Sequence, residues 1–172
     1  MSTSSRIPKP VIRFNPTSTQ IATLVGISSY GKENYPWATR FIGQFPLPSW
    51  QRGLVWTIEQ NISFIESVYI GYDLGSIMIN DYEHFRGSEK TVPLSDIIID
   101  GQQRINALIS YTNNEFKVLG FYWRELNRIE KRTFLEREIG KKTVRCFDES
   151  KLKHVYNHLN FSGVQHKSDE RA

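Results

Sequence analysis

The chain has 172 residues and a formal charge of +4, with 22 basic against 18 acidic side chains. This length suits one domain with a sizeable core, and an aromatic content of 13% excludes an intrinsically disordered protein. A single cysteine excludes an internal disulfide framework and indicates a reducing compartment, so we predict a cytoplasmic protein. No segment stays apolar for the roughly 18 residues that a membrane helix needs, and we expect no membrane partner.

Residues 1–20 are rich in Ser, Thr and Pro and lack hydrophobic periodicity, so we predict a flexible arm there. Residues 21–172 mix helix and strand patterns irregularly, which predicts a single α+β domain with a small mixed sheet and flanking helices. In chain order the patterns predict a helix near 21–25, a strand over 41–45, an extended segment over 46–53, a helix over 57–71, and strands over 74–80 and 96–100. They continue with a helix over 102–111, a strand over 116–123, a charged helix over 125–138, a strand over 143–147 and a helix over 150–158.

The helix over 57–71 has the clearest end signals. Thr57 followed by Gln60 is a capping-box pattern, in which each side chain bonds the other's backbone N–H. Apolar side chains then recur at helical spacing until Gly71, a residue type that commonly ends helices.

The most informative segment is Asp100-Gly101-Gln102-Gln103-Arg104, where a strand rich in β-branched residues runs into a helix. Glycine lets the backbone approach a ligand closely, and the free N–H groups at a helix start bind anions. Arg104 adds a forked cation suited to phosphate, Asp100 can hold a metal ion or orient Arg104, and Gln102 and Gln103 can hydrogen bond a base or sugar. The alternative is a structural strand-to-helix turn in which Asp100 pairs with Arg104. The spacing is not that of a Walker A loop.

Two other segments carry polar residues of interest. Gln51 and Arg52 lie in a proline-stiffened segment, where Arg52 can meet the same anion from another side and Trp50 or Trp56 can supply a stacking wall. Alternatively, both tryptophans anchor the core and Arg52 lies on the surface. Further on, Asn160 and Gly163 are typical of a turn that brings backbone near a ligand.

We expect no zinc. The single cysteine, Cys146, lies in an apolar strand-like run, and the histidines of the C-terminal region lack a ligand set with zinc spacing.

Three motifs in order resemble those of a known family. Pro48-Ser-Trp-Gln-Arg-Gly-Leu-Val-Trp56 resembles a P-x-x-Q-R-x-x-x-W signature, Asp100-Gly-Gln-Gln-Arg104 matches a D-G-Q-Q-R hallmark, and Leu159-Asn-Phe-Ser-Gly163 resembles an L-N-x-x-G element. By these motifs the chain resembles the N-terminal domain of GmrSD-type, modification-dependent restriction enzymes. The same domain also occurs in phosphorothioate-sensing SspE proteins. Order and spacing agree from about residue 45 onward.

The resemblance implies a ParB/sulfiredoxin-like α+β fold and a nucleotide-binding and hydrolysing function in proteins that defend bacteria against phage DNA. It implies a nucleoside triphosphate with Mg²⁺ as the ligand. It assigns catalytic roles to Asp100, Gln103 and Arg104, with Asp100 holding the Mg²⁺. It assigns nucleotide contacts to Gln51, Arg52, Gly101, Gln102, Asn160 and Gly163.

Two departures from the family pattern qualify these expectations. Ile105 is followed by Asn106 where the family usually has Thr, which alters a hydroxyl contact at the site. The HNH-type nuclease domain of larger relatives is not found in this sequence, so DNA cleavage by that route is not expected of this chain alone.

Three functions remain open. The first is an Mg²⁺-dependent NTP hydrolase whose turnover gates a partner restriction or nuclease subunit. The second is a nucleotide or DNA sensor without efficient turnover. The third is a phage- or prophage-borne interaction protein that modulates a host restriction system. The mild basic excess is compatible with DNA as a partner.

Overall fold

The computed structural model of the protein describes residues 7, 9–26 and 31–161. Its main sheet has four strands, in the spatial order β1 (Asn15–Gln20), β6 (Glu138–Val144), β4 (Ser76–Asn80) and β5 (Ile98–Asp100). The β4 and β6 strands are parallel, whereas β1 and β5 pair antiparallel with their neighbours. A separate hairpin joins β2 (Arg40–Ile42) to β3 (Phe45–Leu47). This confirms the α+β class with a small mixed sheet.

Five helices accompany the sheet in the described part of the chain: α1 (Ile21–Val25), α2 (Ile58–Ile70), α3 (Gln102–Thr112), α4 (Arg128–Leu135) and α5 (Glu149–Phe161). The predicted ends of α2 are confirmed. Thr57 caps the helix in a reciprocal capping box with Gln60, and Gly71 ends it with a left-handed φ of 87°. None of the helices among the described residues has the length and apolar character to cross a bilayer.

Both faces of the sheet are covered, because consecutive side chains of a strand point to opposite faces. Ile98 of β5 packs into a cluster with the inner faces of α2 and α3, represented by Ile65 and Leu108. Its neighbours Ile97 and Ile99 pack into a second cluster that includes Leu152, Val144 and Met78. The end of β5 is therefore held between two layers of helix, α3 on one side and α5 on the other.

Four predictions of secondary structure are wrong. The strand predicted over 41–45 is a hairpin instead, because Gly43, with a φ of +56°, turns the chain between β2 and β3. Residues 15–20, assigned to a flexible arm, form the edge strand β1, whose side chains are mostly exposed. Residues 116–123 do not form a strand, because Leu119 and Gly120 both have positive φ and close a tight turn between Val118 and Phe121. The last strand lies at Glu138–Val144 rather than over 143–147, and its apolar minority packs inward through Ile139 and Val144.

Candidate active site

The junction between β5 and α3 has a conformation that only glycine adopts easily. Gly101 has a φ of +96°, and a Cβ atom there would lie 2.7 Å from the Cγ2 of Ile77 and 3.2 Å from its Cα. The first intrahelical bond of α3 runs from the Ile105 N–H to the Gly101 carbonyl. The N–H groups of residues 102–104 consequently have no acceptor within the helix, and no side chain among the described residues caps them.

Arg104 and Asp100 form an ion pair at the start of α3, with 2.9 Å between Nη2 and Oδ2. The Nη1 of Arg104 also donates to the Leu74 carbonyl at 3.2 Å. Gly75, with a φ of +67°, leaves the room that this guanidinium needs, since a Cβ there would lie 2.7 Å from Nη1. The pair is the contact that the structural alternative predicts. It also fixes the guanidinium, which has five N–H donors and uses two of them in these bonds.

The side chains of Gln102 and Gln103 hold the segment that follows Gln51. Gln103 accepts hydrogen bonds from the backbone N–H groups of Val55 and Trp56 at 3.1 and 3.3 Å, and its Nε2 donates to the Gly53 carbonyl. Gln102 donates to the Arg52 carbonyl at 3.1 Å. Both polar atoms of the Gln103 amide thus bond this loop, so we interpret Gln103 as a positioning residue for residues 53–56.

These segments meet at one cleft with a volume of about 140 Å³. Its lining contains the first two predicted clusters and part of the third: Gln51, Arg52, Trp56, Ile99, Asp100, Gly101, Gln102, Gln103, Arg104, Tyr156 and Asn160. The structure therefore brings to one cleft every site residue of the three motifs that it describes. The roles assigned to these residues remain predictions.

Buried polar atoms without partners point to a ligand in this cleft. Gln51 is 3% exposed and Gln102 is 5% exposed. Among the described residues, neither amide atom of Gln51 has a hydrogen-bond partner, and neither does the Oε1 of Gln102. Burying an unpaired amide costs about 1–3 kcal/mol, so a polar ligand that satisfies these atoms would be favoured.

The third motif meets the cleft in a way that the sequence did not predict. Asn160 lies in the last turn of α5, where its Nδ2 donates to the Tyr156 carbonyl at 2.9 Å, and so it is not a turn residue. Gly163 lies outside the described residues. Trp56 packs on Phe64 and Trp50 on Tyr156, which agrees with their interpretation as partly buried anchors.

Tyr156 is the site residue that sequence reasoning missed. It is buried, lines the cleft, and accepts a hydrogen bond from the Arg52 backbone N–H at 3.2 Å. Its position at helical spacing from Leu152 was the available signal, but that signal indicates a core residue and not a site residue.

Side-chain oxygens of three residues at this cleft could hold a magnesium ion. Asp100 supplies a carboxylate, and the Oε1 atoms of Gln51 and Gln102 are neutral oxygens without partners among the described residues. Mg²⁺ usually takes one or two carboxylates together with phosphate oxygens and water. Within the described ranges no cluster of three His, Cys, Asp or Glu side chains could hold a metal ion by itself.

Comparison with known proteins adds one match. A family model described as the GmrSD restriction endonuclease, N-terminal domain, matches residues 38–171. The match covers most of the chain and includes all three motifs. No curated protein and no solved structure matches the chain significantly.

Proposed function

The chain belongs to the family of GmrSD restriction endonuclease N-terminal domains, and from that premise we propose that its cleft binds and hydrolyses a nucleoside triphosphate with Mg²⁺. Membership relates the protein to restriction systems and phage defence. The nucleotide and the hydrolysis are the parts that we infer from the geometry.

One observation carries the proposal: the open N-terminus of α3 and unpartnered buried amides line the same small cleft. The N–H groups of residues 102–104 and the helix dipole favour an anion. The Gln51 amide and the Oε1 of Gln102 add a donor group and two acceptors that have no partner among the described residues. A structural turn alone accounts for the Asp100–Arg104 pair but gives no reason for these buried amides.

The charges at the cleft suit a phosphate chain. Arg52 and Arg104 contribute two positive charges against the single negative charge of Asp100. Arg104 is fixed by Asp100 and by the Leu74 carbonyl, so its remaining N–H donors are already oriented before a ligand binds. Oriented donors cost little reorganisation when charge develops in the transition state.

Hydrolysis requires a water molecule in line with the bond that breaks. Water oxygen forms a bond to the terminal phosphorus while the bond to the bridging oxygen breaks, the electron pair leaves with the nucleoside diphosphate, and the proton of the water passes to an oxygen of the released phosphate. We assign the orientation of that water to an Oε1 of Gln51 or Gln102, since both oxygens lack other partners in the described structure. Mg²⁺ held with Asp100 would neutralise charge on the phosphates.

The test is a nucleotide screen by thermal shift followed by a phosphate-release assay. We expect millimolar NTP with Mg²⁺ to raise the melting temperature and inorganic phosphate to accumulate at a rate proportional to enzyme. A shift without phosphate release would support a sensor that binds without turnover. The absence of any shift with all four NTPs would refute the nucleotide proposal.

A partner subunit is a second component of the proposal. The loop that Gln103 holds leaves Leu54 and Val55 exposed by 50% and 56%, between Arg52 and Trp56, which line the cleft. Apolar side chains next to a ligand site suit a partner that responds to nucleotide, such as a restriction or nuclease subunit. Co-purification of such a subunit with wild-type protein but not with Leu54→Asp would support this; equal recovery would argue against it.

A further inference from the structure

We propose that a second cavity, next to the cleft, binds the base of the same nucleotide. This proposal rests on the proposed function, because it needs the phosphates in the cleft. The cavity has a volume of about 340 Å³ and lies among Trp37, Trp50, Phe147, Leu47, Pro48 and Leu94.

The first cleft is too small to enclose a whole nucleotide. At about 140 Å³ it is smaller than the roughly 300–1,000 Å³ of sites that enclose a whole organic ligand. A phosphate chain fits there, and the base must then lie elsewhere. The second cavity falls within that range.

The two spaces share a wall. Trp50 lines the second cavity, whereas its neighbour Gln51 and its ring partner Tyr156 line the cleft. The rings of Trp50 and Tyr156 pack edge to face, with 5.3 Å between their centroids. Trp50 and Gln51 are adjacent in the chain and line different spaces, so a nucleotide with its phosphates in the cleft and its base in the second cavity would pass over this wall.

The walls have the chemistry that a planar ring needs. Trp37 is held in place by a hydrogen bond from its Nε1 to the Thr91 Oγ1 at 3.1 Å, and indole and phenyl rings stack on every base type. The Nε1 of Trp50 is buried without a partner among the described residues, which leaves a donor for a ligand acceptor.

Polar groups of the cavity lining can hydrogen bond a base. Thr39, Ser49 and Glu149 supply two hydroxyls and a carboxylate. Glu149 pairs with Lys153, with 2.8 Å between Oε1 and Nζ, and its other carboxylate oxygen can accept a hydrogen bond from an amino group of a base.

The experiment compares NTPs with inorganic triphosphate on the full chain in the presence of Mg²⁺. Phe147→Ala removes a half-buried wall, and Thr39→Met places a longer side chain without a ring at an exposed position of the lining, where it would obstruct a base. We expect both variants to bind NTP at least about fivefold more weakly, the lower end of the effect of losing one base stack. Both should bind inorganic triphosphate as the wild type does. Phe121→Ala removes an exposed ring that lines neither space and serves as the matched control.

The outcomes separate the two proposals. If triphosphate binds but both variants keep wild-type NTP affinity, the base cavity is refuted and the phosphate cleft stands. If neither NTP nor triphosphate binds the wild type, the proposed function fails and the base cavity with it. If the variants lose single-stranded DNA but keep NTP, the cavity takes a DNA base and our assignment is wrong.

Discussion

The substitution Arg104→Ala tests whether Arg104 binds the ligand or only stabilises the fold. In the folded protein Arg104 pairs with Asp100, with side chains 18% and 33% exposed. Partly exposed i,i+4 pairs contribute about 0.3–1 kcal/mol, so the variant should melt about 1–4 °C lower. A charge-assisted contact to phosphate contributes about 1.5–3 kcal/mol, so NTP should bind roughly tenfold to hundredfold more weakly.

Thermal shift measures both effects at once. At a ligand concentration one hundred times the wild-type Kd, bound NTP stabilises the wild type by about 2.7 kcal/mol, and the variant by only about 0.4–1.4 kcal/mol. Arg132→Ala is the matched control, because Arg132 of α4 forms an exposed i,i+4 pair with Glu136, the residue that follows this helix, and does not line the cleft. A variant that melts lower but keeps the wild-type response to NTP would refute the ligand role of Arg104.

Three further predictions concern the cleft and its surroundings. Gly101→Ala should lower the free energy of unfolding by about 2 kcal/mol or more in denaturant titration, because φ is +96° and the new methyl would meet Ile77 at 2.7 Å. Gly53→Ala, whose new methyl meets nothing within 4 Å among the described residues, should unfold as the wild type does. Equal losses of stability in the two variants would contradict this prediction. Gln103→Ala should speed proteolysis within 53–56, since three hydrogen bonds to that loop are lost; unchanged cleavage would argue against its positioning role. DNA affinity, measured by fluorescence anisotropy, should be weak and should fall steeply as the salt concentration rises. Replacing Lys141 and Lys142 by Ala should reduce the steepness of log K against log salt by up to about 2. The absence of binding even at low salt would exclude DNA as a partner.

The helices that bound the site could be predicted because their signals are local. The capping box at Thr57 and the glycine at 71 define both ends of α2 through atoms a few residues apart. Similarly, Gly101 marks the start of α3, since the chain needs a left-handed residue there. Such signals act within one turn of helix, so they do not depend on the rest of the fold.

The strands at the edge of the sheet could not be predicted in the same way. β1 has the polar sequence Asn-Pro-Thr-Ser-Thr-Gln and is stabilised by backbone pairing with β6, far along the chain. β6 contains Gly140 and two lysines, residue types that are depleted in strands, yet it pairs on both sides. These segments form strands because they pair with segments distant in the sequence, and their own composition does not indicate a strand.

The residue types at the candidate site were determined by the sequence, but their arrangement was decided by the tertiary structure. The motif from Asp100 to Arg104 by itself indicates either an anion site or a structural turn, because the two need the same residues. Packing of β5 against α5 brings Tyr156 and Asn160 to that motif, and hydrogen bonds from Gln102 and Gln103 bring the segment after Gln51. Only this packing leaves the Gln51 amide buried without a partner among the described residues, since burial and hydrogen-bond satisfaction depend on contacts between segments about fifty residues apart.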